Sequence, residues 1–291
     1  ALANVIISEK LYDESYAADK LYGLDRLGDH VKQYSPEWAQ GECDIPAAEI
    51  RRIARELAAA APAAIVYPGR RTSDYVNSTQ IRRTMAIVNG LLGNWDQPGG
   101  LLAARQVGLS GPDLPDSPFY EDNPDDRADH GRAHMMFDEE GSFKHMRDAI
   151  IEEKPYPVKG WFAYKINPLQ SVAHRNKTLE MIEHLDFILT VDIAMSDTAW
   201  MSDLVLPAPS YLERQDPASG LQGSSACARV VTRDPVVPAL FESKPVFWIL
   251  KELAKRLDLA EYFDFTIEEY RKQQLKNLPD GERALREDGV Y

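Results

Sequence analysis

The sequence predicts an α/β protein made of two doubly wound parallel-sheet domains, and three observations carry that prediction. Short apolar runs rich in strand-forming residues recur at 63–67, 160–164 and 187–191. Each is too short for a buried helix and fits a strand covered on both faces. Stretches of helical period lie before and between the runs, at about 46–61, 77–92 and 176–184, and strand alternating with helix is the pattern of a parallel sheet. Polar residues follow each run at once, where an open α/β sheet keeps its ligand crevice.

Taken in order, residues 4–42 read as short helices, begun at Asp13-Glu14-Ser15 and at Ser35-Pro36-Glu37. The clearest helix of this half spans about 46–61. Pro46 suits its first position, Glu49 complements the dipole, and Ile50, Ile53, Ala54 and Leu57 form a stripe. Pro62 closes it, residues 63–67 form a buried strand, and Pro68-Gly69-Arg70-Arg71-Thr72 is the loop at the carboxyl end of that strand. Asn77-Ser78 caps a further helix with Ile81, Met85, Val88 and Leu92 at helical spacing. Gly93-Asn94 ends it, and Gln97-Pro98-Gly99-Gly100 is a turn. Residues 1–100 are therefore expected to belong to the first α/β domain.

From 101 to about 141 the pattern fades into a long connection rich in proline and acid, such as Pro112, Asp113, Pro115 and Asp116. Residues 143–151 resume as a helix, 160–164 as a strand, and Ile166-Asn167-Pro168-Leu169 as a turn. The run 187–191 ends on Asp192. Ser196-Asp197-Thr198 then caps a short helix at Ala199-Trp200-Met201, and Asp203-Leu204-Val205-Leu206 is a strand stopped by Pro207, which has no N–H to give a ladder. Cys227 falls in a loop rich in Ser and Ala. Residues 101–240 are expected to form the second Rossmann-like domain. Residues 241–291 follow as a helical segment, with an amphipathic helix at 247–257 and a charged one at 266–275.

Composition narrows the function. At 44% hydrophobic and 27% charged over 291 residues the chain is an ordinary globular one, and no apolar run approaches the roughly 20 residues that span a bilayer. A net charge of −13 argues against a nucleic-acid partner, since phosphate binding needs a basic face. Cys43 and Cys227 cannot make a cluster, no CxxC is present, and His130 and His134 lack the HExxH glutamate, so no metal ligand is assigned. There is no GxGxxG after a strand, no GxxxxGK[ST] and no GxSxG.

What remains are polar groups at the strand ends. Arg70, Arg71, Arg82 and Arg83 gather around one of them, with Arg82 and Arg83 expected in the first turn of a helix, where a cation opposes the macrodipole. They either meet an anion or are solvated and paired with the many carboxylates. Asn167-Pro168 is either a plain turn or part of a site. Asp192 is either a strand-end cap or an acceptor for two N–H donors, as acidic groups are for amino-bearing bases.

Several segments taken together resemble the catalytic subunits of the molybdopterin-dependent oxidoreductases of the dimethyl sulfoxide reductase family. Asp192, Ser196, Thr198-Ala199 and Asp203-Leu204-Val205-Leu206-Pro207 match its long signature, and Leu212-Glu213-Arg214 its continuation. Leu91-Leu92-Gly93-Asn94 with Pro98-Gly99-Gly100 resembles its LLGN…PGG turn, and Tyr164-Lys165-Ile166-Asn167-Pro168 its strand and Asn-Pro turn. The match runs in order along nearly the whole chain. Within the family, Pro68 to Thr72 and Asp192 to Trp200 look most like thiosulfate and polysulfide reductases.

The resemblance implies a molybdenum or tungsten ion held by the dithiolenes of two pterin–guanine dinucleotides. Lys165, Asn167 and Pro168 would lie along one cofactor's phosphate or pterin, and Asp192, Ser196, Asp197 and Thr198 around its guanine. Gly69, Arg70 and Arg71 would lie near the metal or a pterin, and Arg82 would face an anionic sulfur substrate, with Arg70 and Arg71 assisting. An iron–sulfur segment and the metal-ligating residue are expected before residue 1, and a barrel domain after Tyr291. The chain is therefore expected to be a central fragment of a larger subunit, inactive and cofactor-free by itself. The parent is expected to reduce thiosulfate or polysulfide by two electrons, with an iron–sulfur electron-transfer subunit and a membrane-anchor subunit as partners, in the periplasm. Formate oxidation, reduction of another oxyanion, and a non-catalytic scaffold or accessory role are the alternatives.

Overall fold

A computed structural model describes residues 1–69, 72, 75–102, 107–115, 127–129, 141–224 and 227–287. They divide into two compact units, 1–107 with 221–229, and 108–220 with 230–291.

The first unit is helical among its described residues apart from its share of a strand pair given below. It contains α1 (Leu2–Ser8), α2 (Glu14–Lys20), α3 (Leu24–Val31), α4 (Pro36–Cys43), α5 (Ala47–Ala60) and α6 (Ser78–Leu91). Asp13 starts α2 by accepting from the N–H groups of Ser15 and Tyr16, and Ser35 starts α4 by accepting from that of Trp38. Val5 and Ile6 of α1 are buried in a core with Val31, Ala54, Val88, Leu91 and Leu92. The buried stripe of α5 is Ala47, Ile50 and Ala54, whereas Ile53 lies off that face and is 36% exposed.

The strand expected at 63–67 does not form, because the described residues supply no neighbouring strand to pair with it. A side chain stands in for that neighbour. The Asn89 amide accepts from the Val66 N–H and donates to the Val66 carbonyl, both at 2.9 Å. Asn94 donates to Asn89 Oδ1 at 2.9 Å and to the Ala64 carbonyl. Asn89 is 1% exposed and Asn94 is fully buried, so their polar groups need these partners. The segment's apolar side chains do not lie between two layers, since Ile65 and Tyr67 are exposed. The Gly99-Gly100 turn closes against the same place: a Cβ on Gly100 would fall 2.0 Å from the Asn94 carbonyl oxygen, and one on Gly99 2.7 Å from Ala63 Cβ.

The second unit holds a three-stranded parallel sheet in the order β1 (Gly160–Tyr164), β2 (Phe187–Asp192), β3 (Leu204–Pro207). Ile188 through Val191 are buried, as a run covered on both faces requires. Asp203 fixes the entry to β2 by accepting from the Ile188 N–H at 2.7 Å, and Thr190 Oγ1 meets Ser202 Oγ at 2.6 Å. Pro207 lies inside β3 rather than beyond it. It is opposite Asp192 on an edge strand, and the next residue, Ala208, supplies the N–H to the Asp192 carbonyl.

Around the sheet lie α7 (Phe143–Glu152), α8 (Pro168–Ser171), α9 (Arg175–Glu183), α10 (Asp197–Trp200), α11 (Val246–Arg256), a 3₁₀ turn (Ala260–Phe263), α12 (Ile267–Leu275) and α13 (Gly281–Glu287). Thr266 and Glu269 form a capping box on α12. The pair β4 (Asp216–Ser224) and β5 (Cys227–Arg233) makes a separate two-stranded sheet, so Cys227 opens a strand and not a loop. Its small and Gly-rich sequence has low strand propensity, and support again comes from a side chain. The Gln274 amide of α12 accepts from the Ala218 N–H at 2.8 Å and donates to the Ala218 carbonyl at 3.0 Å.

Candidate functional site

The polar groups predicted at the strand ends of the second unit do converge. In the parallel register Tyr164 is opposite Val191, so Lys165, Asn167 and Pro168 follow β1 beside Asp192 and the loop that follows β2. Asn167 and Thr198 tie the two strand ends together. Asn167 Oδ1 accepts from the Thr198 N–H at 3.1 Å and from its hydroxyl at 2.9 Å. Thr198 is fully buried and Pro168 nearly so, and both therefore shape the rim from inside.

Asp192 is half-buried where β2 ends. Its Oδ1 accepts from the Ile193 N–H at 2.7 Å, and its Oδ2 from Ser196 Oγ at 3.1 Å. Ser196 in turn starts α10 by accepting from the Ala199 N–H. Both donors to Asp192 are neutral, and each of its oxygens keeps a lone pair. Ile193 and Met195, on either side of Ala194, are 62% and 48% exposed.

Asp197 has a different electrostatic partner. Arg175 Nη1 lies 3.1 Å from Asp197 Oδ1 and 3.1 Å from the Leu169 carbonyl, and this guanidinium, with help from the Asn167 amide, holds the Asp197 carboxyl below the usual range. The base of Arg175 is itself fixed. Arg147, 4% exposed, donates from Nη1 to the carbonyls of Ala173 and His174 just before α9, at 2.9 and 3.4 Å. Lys165 is exposed, takes a positive φ of 56°, and places its ammonium 5.0 Å from the centre of the Tyr164 ring.

This donor and acceptor set fits a purine base with two adjacent N–H donors. A carboxylate held by neutral groups, with both oxygens still able to accept, is the complement of such an edge. The exposed Lys165 ammonium, at the adjacent strand end, suits a phosphate.

In the first unit, Gly69 takes a left-handed φ of 60°. Arg82 donates from Nη2 to its carbonyl at 3.1 Å, which ties α6 to that loop. Arg82 and Arg83 lie in the second turn of α6, not the first, because the helix starts at Ser78, whose hydroxyl bonds the Tyr75 backbone. Their conflict with the macrodipole is correspondingly small. Arg70 and Arg71 lie outside the described residues.

Arg175 is the residue at this site that sequence reasoning passed over. Arg175 had a visible signal: a cation at the first position of a helix requires a nearby anion to offset the dipole.

The family model for molybdopterin oxidoreductases matches residues 1–256. The thiosulfate reductase molybdopterin-containing subunit PhsA of Salmonella typhimurium is 32% identical over 300 residues, which cover 98% of this chain and 38% of that protein. Acetylene hydratase of Syntrophotalea acetylenica is 27% identical over 327 residues, covering 96% of this chain and 44% of that protein. The solved structure of acetylene hydratase from Pelobacter acetylenicus superposes with a TM-score of 0.75 over 100% of this chain and 43% of that one, at 24% identity, a likeness of fold. The chain thus spans about two fifths of the length of these relatives.

Proposed function

Because this chain belongs to the molybdopterin oxidoreductase family, we propose that the protein carrying it reduces an inorganic sulfur compound, thiosulfate or polysulfide, by two electrons. The observation that carries the choice of substrate is the 32% identity to a thiosulfate reductase subunit, sustained over 98% of the chain. With thiosulfate, two electrons and one proton divide the sulfur–sulfur bond, leaving sulfite and hydrosulfide.

When bound, molybdenum with its pterin–guanine dinucleotides supplies the electron pair and the affinity for sulfur. The residues of this chain bind and orient. Asp192, set by Ser196 and the Ile193 N–H, accepts the two N–H donors of a guanine edge. Lys165 meets the phosphate beside it, and Asn167, Pro168, Asp197 and Thr198 give the rim its shape. In the first unit, Arg82, tethered to the Gly69 carbonyl, with Arg70 and Arg71 in the same loop sequence, meets the negative charge of the substrate and the charge that develops as the bond breaks. Electrons come from an iron–sulfur electron-transfer subunit, and a membrane-anchor subunit holds the assembly on the periplasmic side. Any iron–sulfur cluster of the catalytic subunit lies in sequence before this stretch.

The test is the composition and substrate range of the whole protein, purified without oxygen. Molybdenum or tungsten, pterin and guanine nucleotide should be present, with reduction of thiosulfate or polysulfide outpacing that of nitrate and N-oxides and the oxidation of formate. Protein without pterin and metal would remove the oxidoreductase reading. A preference for nitrate, N-oxide or formate would remove the sulfur substrate alone.

A further inference from the structure

We propose that Arg175 is a positioning residue that cancels the charge of Asp197, so that the rim presents Asp192 as its charged acceptor to the base of a guanine nucleotide. This rests on the reading of the rim given above and assigns a role to a residue outside the signature.

Arg175 occupies the first position of α9, where a positive charge opposes the helix dipole. Helix stability therefore does not account for it, but its contacts do. A single nitrogen, Nη1, bridges the Leu169 carbonyl after β1 and the Asp197 carboxylate after β2, each at 3.1 Å. The two loops it joins are those already tied by Asn167 and Thr198, so the guanidinium is the second tie across one crevice. Its platform is rigid, because the buried Arg147 holds the residues just before it.

Electrostatics gives the tie a purpose. Asp192 and Asp197 stand five residues apart on one short loop, and Ser196, the partner of Asp192, is next to Asp197. Two ionised carboxylates there would repel each other and also repel the phosphates of a dinucleotide. With Asp197 paired to a cation and Asp192 bonded, among the described residues, to neutral donors, the negative potential is concentrated at Asp192, where the donor edge of the base is read.

The experiment uses the whole protein, isolated without oxygen, and measures the rate at which guanine nucleotide is lost on dialysis at low and high salt. Four forms are compared: wild type, Arg175→Lys, Arg175→Gln, and Arg175→Gln with Asp197→Asn. Gln keeps a donor and loses the charge. Lys keeps the charge and can make both contacts from one nitrogen, as Nη1 does. Arg175→Gln should lose nucleotide about fivefold faster than wild type at low salt, the upper size of a partly exposed charge effect, and the difference should shrink in about 0.5 M salt. Arg175→Lys should match wild type, and adding Asp197→Asn should restore most of the retention. Arg175→Gln equal to wild type overturns the proposal, as does a double variant no better than the single one. If Arg175→Gln does not fold, Arg175→Lys carries the test, and loss more than about threefold faster than wild type refutes a charge role. Wild-type protein that holds no guanine nucleotide defeats the reading of the rim itself, a result separable from all of these.

Discussion

Replacing Asn89 by Leu removes the amide that stands in for a β-strand while keeping the branched skeleton of the side chain at a fully packed position. Three hydrogen bonds go with it: the two to Val66 and the one received from Asn94, all at 2.9 Å. Orphaning a buried polar group costs about 1–3 kcal/mol. Val66 is only half-buried, so the lower figure applies to its two groups, and Asn94 keeps its second acceptor at the Ala64 carbonyl. The sum is about 3 kcal/mol, which is on the order of a hundredfold in a local opening equilibrium. Amide exchange of the whole protein, followed by mass spectrometry on a peptide covering 63–69, should accelerate by that factor, while peptides of the second unit stay within about twofold. Asn89→Asp should be milder at low pH, where its protonated carboxyl can still donate, and should worsen as the pH rises. Burial raises the folded pKa of the new carboxyl above its unfolded value of about 3.9. Its penalty is then absent below about pH 4 and grows as pH rises through the folded pKa. Exchange at Val66 unchanged by Asn89→Leu would refute the claim that this amide holds the segment.

Thr198→Val keeps the shape of the buried side chain but removes its bond to Asn167 and the bond its oxygen accepts from the Leu169 N–H, while the Thr198 N–H bond remains. A loss of about 2 kcal/mol in stability is expected, read by denaturant unfolding, together with faster amide exchange over 166–171. The Asp197–Arg175 pair should persist through neutral pH. Because pairing lowers the folded pKa of Asp197, its contribution is present above the unfolded value of 3.8 and lost as pH falls through the still lower folded one. Exchange over 167–171 measured from pH 7 to 3 should show the tie releasing only at the acid end, and release near pH 6 would contradict the pairing. Gly100→Ala should prevent accumulation of folded protein, since its Cβ would meet a backbone oxygen at 2.0 Å rather than a movable side chain. Soluble yield compared with Gly111→Ala, which meets nothing within 4 Å, provides the control.

Strand β2 was legible because burial on both faces writes a continuous apolar run, and β1 from its aromatic-rich run although Phe162 is exposed; the structure places them at 187–192 and 160–164. The same signal misled at 63–67. An apolar run does not by itself record cover on both faces or a strand alongside: here Ile65 and Tyr67 are exposed, and the neighbour is an asparagine twenty-three residues away. β4 and β5 were illegible for the converse reason. Their sequence is poor in strand formers, and what supports β4 is Gln274, fifty-six residues distant from Ala218. At the site, the types and places of Asp192, Ser196 and Asn167 could be read from strand ends and turn chemistry. The inward use of Thr198 and the pairing of Asp197 with Arg175 are long-range contacts that no local pattern encodes.

The amide bonds at Val66 and Ala218 also bear on how freely this chain can vary. A ladder of strands must be recut as a whole, since inserting one residue turns every following side chain to the other face. Asn89 and Gln274 each address a single peptide unit through its own N–H and carbonyl, and the side chain at that unit takes no part. Around Val66, where no strand is paired, the residues that follow the anchored unit can therefore change character without a ladder register to preserve. Gly69, three residues beyond Val66, sits in such a stretch, so the sequence after the anchor can change while the anchor itself stays unaltered.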